Sequence, residues 1–150
     1  MIVLLVPLLF LSGCLGTGDV DEPIMQEPVM VESEWDNQSH QFWNVNPVSV
    51  GNTSVITFNN TGDLNFTVNL TTWFHEPVLW EQGFLNYSLI YENETVWSIQ
   101  VTNVMEDYRF NMTNVTGSIT VQIQANGSDS PTDDKPGDYY MASAEFHLQY

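Results

Sequence analysis

The 150 residues are 43% hydrophobic and 13% aromatic, enough apolar material for one packed domain of about 110 residues plus flanking segments, which excludes a wholly disordered chain. Nineteen Asp and Glu stand against two basic residues, Arg109 and Lys135, for a formal net charge of -17; nucleic acid is excluded as a partner, because neutralising phosphates requires Lys and Arg. The single cysteine, Cys14, precedes the expected domain, so the fold has no disulfide, thiolate metal cluster or thiol nucleophile of its own.

Met1 to Leu11 is an apolar run that suits a signal-peptide core and falls short of the ~20 residues that span a bilayer. Leu11-Ser12-Gly13-Cys14 follows at once. This segment resembles the lipobox of prokaryotic lipoproteins, in which two small residues precede a cysteine that is lipidated and becomes the new amino terminus. The resemblance covers these residues alone, and departs from the usual pattern in having no Lys or Arg before the apolar core. It implies a signal segment over residues 1–13, a lipid on Cys14 that holds the chain to the membrane, and a location on the extracellular face.

Residues 14–40 read as an acidic linker. Asp19, Asp21, Glu22, Glu27, Glu32, Glu34 and Asp36 repel one another while Pro23 and Pro28 disfavour helix, so an extended spacer is expected, with the domain over residues 41–150. The charge is also like that of acidic surfaces that work in high salt, although charged residues total only 14%.

Beyond Gln41 apolar residues recur with period two, the mark of strands with one buried face. Leu64, Phe66, Val68 and Leu70 share a phase, as do Leu85, Tyr87, Leu89 and Tyr91; then Trp97, Ile99 and Val101; Ile119, Val121, Ile123 and Ala125; and Ala142, Ala144, Phe146, Leu148 and Tyr150. Shorter candidates are Phe42 to Val50, Val55 to Asn59 and Tyr108 to Met112. Turn residues such as Asn60-Thr61-Gly62 and Glu92-Asn93-Glu94 separate the runs. The pattern predicts an all-β fold, an antiparallel β-sandwich of about eight strands, immunoglobulin-like or jelly-roll in kind, with the last strand pairing within a sheet beside the first.

Ten asparagines stand in Asn-x-Ser/Thr with x not proline: Asn37, Asn52, Asn59, Asn65, Asn69, Asn86, Asn93, Asn111, Asn114 and Asn126. Chance placement would give roughly two, so the set reads as N-glycosylation acceptors. Asn65, Asn69 and Asn86 fall on the polar phase of their strands and Asn93 at a hairpin tip, where a glycan leaves the core undisturbed. The alternative to glycosylation is that Asn and Thr are simply good turn and exposed-strand residues. A lipobox beside dense sequons resembles archaeal surface proteins.

Two segments are candidates for chemistry. The loop from Gly127 to Asp138 gathers Asp129, Asp133, Asp134 and Asp138, whose oxygens suit calcium, although the EF-hand spacing is absent and an acidic proline-containing loop is more often just solvated. Around Pro77, Trp73, Phe74, Trp80 and Phe84 interrupt the alternation, and consecutive Trp73 and Phe74 cannot both point inward along a strand. An exposed aromatic platform there would stack on a sugar ring or form a protein contact, the alternative being that these rings belong to the core; Trp35 and Trp43 are open to either assignment. His75-Glu76 has no second histidine at helical spacing, and no nucleophile elbow or phosphate-binding loop occurs.

The expectation is therefore a non-enzymatic surface protein with a binding, adhesion or envelope-coat role, its partners carbohydrate or other surface proteins. Two rivals are an accessory subunit of an envelope solute-recognition or assembly complex, and a compact metal-dependent hydrolase using the Asp129 to Asp138 loop and a histidine.

Overall fold

The computed structural model describes residues 27–76, 81–129 and 136–150, and over these the alternating runs become six antiparallel strands. They are β1 (Val31–Gln41), β2 (Val48–Trp73), β3 (Phe84–Tyr91), β4 (Glu94–Val101), β5 (Val104–Gly127) and β6 (Tyr139–Gln149). The sheet order is β1-β6-β2-β5-β3-β4. Cys14, Trp80, Asp133 and Asp134 lie outside the described residues.

Eight expected runs become six strands because β2 and β5 are each two runs joined through a bend. β2 takes in the runs at Val55 and Leu64, and β5 those at Tyr108 and Ile119. Their mutual pairing shifts register between Phe58 and Leu64. Gly62 sits in this bend because any Cβ there would strike the carbonyl of Gln149, and Gly117 because its φ of 79° disfavours an L side chain.

The bends fold the sheet over into two facing layers. The front layer holds β1, β6, the second half of β2 and the first half of β5. The back layer holds the first half of β2, the second half of β5, β3 and β4. Phe66 of the front layer meets Tyr87 and Trp97 of the back layer at ring-centroid distances of 6.4 and 5.5 Å, so the core lies between them. The predicted inward phases of β2, β3, β5 and β6 are buried there as one cluster. At the ends of these runs Tyr91 is half-buried and Tyr150 exposed.

β1 extends the fold into the segment that composition marks as linker. Val31 to Gln41 pair with Gln149 to Tyr139, so strand structure begins ten residues before the boundary expected at residue 41. The last strand does lie beside the first, but that first strand is β1; the expected run from Phe42 to Val50 instead begins as a connection through Asn46-Pro47, where proline supplies no N–H to a ladder.

β1 escapes pattern reading because its inward positions are polar. Asp36 and Gln38 are buried between the layers: Ser54 Oγ donates to Asp36 Oδ1 at 2.8 Å, and Gln38 Nε2 donates to Asp36 Oδ2 at 2.8 Å. Glu32 accepts from the backbone N–H of Asn59 and from the Asn60 amide. These bonds stitch β1 across the gap to the first half of β2, and inward acids on an edge strand resist pairing with other chains. Nearby, the Tyr87 hydroxyl is buried without a protein partner, and burial, with the charge of Asp36 second, holds it well above the usual tyrosine range.

Candidate binding surface

Three connections meet at one end of the sandwich: β1 to β2, β2 to β3, and β5 to β6. Asp138 ties them together. Its carboxylate is fully buried; Oδ1 accepts from the backbone N–H of His75 at 2.8 Å and contacts His75 Nδ1 at 2.5 Å, while Oδ2 accepts from the N–H of Ser128 at 2.8 Å. Its backbone joins in, since Phe42 N–H donates to Asp138 O at 2.8 Å and Asp138 N–H donates to Ser128 O at 3.0 Å. Asp129 N–H donates to Asn44 O at 2.7 Å. Beneath this clasp the buried rings of Phe42 and Phe74 pack 6.2 Å apart.

The clasp brings together the two segments that the sequence singles out. Asp138 belongs to the acidic loop and His75 to the aromatic turn, and they are in contact although 63 residues apart. The carboxylate of Asp138 is thus engaged in holding loops. Among the described residues no group of three or more His, Cys, Asp or Glu is placed to hold a metal ion; Asp129 is half-buried beside the clasp.

The expected aromatic platform is divided. Phe74 is wholly buried and belongs to the core, while Trp73 points outward on the front layer, so the pair does face opposite ways. Phe84 sits on the outer face of the back layer, beside Gly51, Gln124 and Asn126 in a shallow recess of about 300 Å³, on the opposite side of the sandwich from Trp73. Phe74 and Phe84 therefore do not share a surface with Trp73.

A different aromatic surface forms instead. The last cross-strand row of the front layer at the loop end is Gln41, Tyr139 and Trp73, with the Trp73 ring stacked on His75 at 6.2 Å and 29°. Trp43, 69% exposed, adjoins this row and lines a groove of about 470 Å³ with Ser39, His40, Gln41, Tyr139, Tyr140 and Met141. A second groove of about 350 Å³ shares Ser39 and Met141 and runs on past Asn37, Asn69, Thr71 and Ser143. Trp35, 56% exposed, is further along the same outer face of β1. No Asp, Glu, Lys or Arg lines either groove, which sets them apart in a chain of net charge -17.

None of the ten sequon asparagines is buried. Asn37, Asn65, Asn69 and Asn111 lie on the outer face of the front layer and Asn86 and Asn126 on that of the back layer. Asn59 and Asn114 stand at the bend, Asn93 at the β3–β4 turn and Asn52 on the free edge of β2. At Asn37, Asn65, Asn69, Asn86 and Asn111 the motif has the strand period: Asn and the Ser or Thr two residues on take outward positions while the middle residue, Phe66 or Leu70 for instance, points inward. The Trp43 groove contains no sequon asparagine, and Asn37 and Asn69 lie four residues before Gln41 and Trp73 on their strands.

Sequence reading missed this groove because its members come from residues 39–43 and 139–141, joined only by the β1–β6 pairing. The available signal was Tyr139-Tyr140 opening the last strand, with Trp43 unplaced.

No protein-family model matches the chain, and no curated protein does. Among solved structures it is similar to TmCBM61 in complex with β-1,4-galactotriose, with a TM-score of 0.46 and 12% identity over 83% of this chain and 90% of that one. It is also similar to the CBM36-1 domain of a multidomain xylanase from the hindgut metagenome of Trinervitermes trinervoides, at 0.34 and 10% over 77% and 96%. A third likeness is to the pili of Bacillus endospore appendages, at 0.38 and 6% over 81% and 89%.

Proposed function

We propose that this chain is a non-catalytic, N-glycosylated surface module, held at the extracellular face of the membrane by lipid on Cys14, that binds a neutral carbohydrate in the Trp43 groove. The carrying observation is the groove itself: an exposed indole beside His40, Tyr139 and Met141, without a charged side chain. An indole face stacks on the C–H face of a sugar ring, and Ser, Gln and Tyr groups hydrogen-bond its hydroxyls, so a neutral sugar is met without desolvating an acid. That none of the ten sequon asparagines is buried supports glycosylation, and their absence from this groove leaves it accessible beside the chain's own glycans.

Affinity electrophoresis against a panel of neutral polysaccharides tests the binding. The Trp43→Ala chain is expected to lose retention on the polysaccharide that slows the wild type, with an unchanged thermal midpoint. Full retention by Trp43→Ala, or no retention of the wild type on any member, removes the carbohydrate reading. The anchor is tested separately: Cys14→Ser is expected to move the protein from the membrane fraction to the medium, and unchanged retention overturns lipidation.

A further inference from the structure

Folding one sheet over on itself leaves four strand edges open among the described residues: β1, the first half of β2, the first half of β5, and β4. Three are guarded. β1 carries Glu32, Glu34 and the inward Asp36; the first half of β2 carries Gly51 and the sequon asparagine Asn52, and is stitched to β1 through Ser54; the first half of β5 carries Glu106, Asp107 and Arg109. Charges, glycans and irregular backbone are how edges avoid unwanted pairing.

β4 is guarded only at its start, where Glu94 stands beside the sequon asparagine Asn93. A register shift disturbs its start opposite Leu89 and Ile90, but Trp97 to Val101 runs regularly against Leu89 to Leu85 and contains no charge, proline, glycine or sequon. Its inward side is also left open. Trp97 and Ile99 are only half-buried, and so are Tyr108 and Phe110 facing them from β5, with the rings of Trp97 and Tyr108 6.1 Å apart. The side of the sandwich closed by β1 has polar bonds across it; this side has an apolar slot.

We infer that β4 is a homodimerisation edge, pairing antiparallel with β4 of a second copy about Ile99. That register sets Trp97 opposite the partner's Val101, Ser98 opposite the partner's Gln100, and Ile99 opposite the partner's Ile99. Inward residues then meet inward residues, and the two four-strand back layers join into one sheet with a continuous apolar inner side. The occupant follows from charge: the other open edges of a second copy carry acids or a sequon, whereas its β4, apart from Glu94 at its start, is uncharged over Thr95 to Val101 and matches this one. The proposal is independent of the carbohydrate reading, since β4 and the Trp43 groove lie on opposite margins of the sheet.

Two copies of net charge -17 repel over distances that salt shortens from about 10 Å at 0.1 M to about 3 Å at 1 M, so pairing strengthens with ionic strength. The test is the mass of the full chain in excess detergent, by light scattering corrected for bound detergent, across that salt range. The dimer fraction is expected to rise with salt. Ser98→Glu, which gives β4 an acid like those of the other edges, is expected to weaken dimerisation at least roughly tenfold, while Val55→Glu, the same charge change on the outer face of β2, leaves it as in the wild type. In a Cys14→Ala background, Ile99→Cys is expected to form a disulfide-linked dimer on oxidation and Val55→Cys to stay monomeric. A monomer at every salt concentration, equal effects of the two glutamates, or equal cross-linking of the two cysteines overturns the proposal.

Discussion

Replacing Asp138 with alanine is expected to cost about 3–5 kcal/mol, because the buried backbone N–H of Ser128 and the half-buried backbone N–H and ring of His75 lose their acceptor together, at about 1–3 kcal/mol for each group left unsatisfied. Asp138→Asn keeps one acceptor oxygen but turns an amide donor toward a donor, so it should fall between alanine and wild type. Urea unfolding of the three proteins checks the order. A stability for Asp138→Ala within about 0.5 kcal/mol of wild type would show that the loops hold together without this carboxylate. On the proposed carbohydrate reading the effect reaches binding through Tyr139, the next residue and a wall of the Trp43 groove. Loosening the clasp should therefore weaken polysaccharide retention even though Asp138 itself is buried beneath the surface.

The parts of the fold that can be read from the chain are those where burial follows the backbone period. Leu64 to Leu70, Leu85 to Leu89, Ile119 to Ala125 and Ala142 to Leu148 alternate because each strand has one face in the core, and every one of these runs is buried on the expected phase. The bends in β2 and β5 are harder to see. An Asn-Asn-Thr-Gly stretch signals a turn, and whether the chain reverses there or only folds a continuous strand depends on which partner lies alongside. β1 is the clearest omission. Its buried inward residues include Asp36 and Gln38, both hydrogen-bonded to Ser54 of a distant strand, so its alternation is of polar residues with polar residues and composition alone marks it as linker.

The candidate surface was legible only in pieces. The acidic loop and the aromatic turn stand out as local compositions, but their meeting at Asp138 and His75 is a tertiary fact, as is the division of Trp73, Phe74 and Phe84 among three environments. Trp43 acquires meaning from Tyr139 and Met141, nearly a hundred positions later, through the β1–β6 register. The sequons are the opposite case. Their Asn-to-Thr spacing equals the strand period, so once a strand was assigned the outward placement of Asn65, Asn69 and Asn86 followed.

That equality of spacing leaves two explanations for the sequons, and Phe66 separates them. Phe66 is the middle residue of Asn65-Phe66-Thr67, is buried between the layers, and lies 5.0 Å from the Phe146 ring and 5.5 Å from that of Trp97. Phe66→Ala removes those contacts and opens a cavity, and is expected to cost about 3–5 kcal/mol, a large part of the roughly 5–15 kcal/mol that holds a domain folded. The thermal midpoint should fall by roughly 10–20 °C. The sequon itself survives, since only proline is barred from its middle position. Asn65→Gln does the reverse: it deletes the acceptor and, on an outward position, should change the stability of the unglycosylated protein by no more than about 0.5 kcal/mol. Peptide mapping of the protein made in a glycosylating host would then show a sugar on Asn65 in the wild type and none in Asn65→Gln. Should Asn65→Gln cost as much stability as Phe66→Ala, and Asn65 carry no sugar, the asparagine serves the strand, and the sequon pattern is a by-product of alternating an outward amide and hydroxyl with an inward ring.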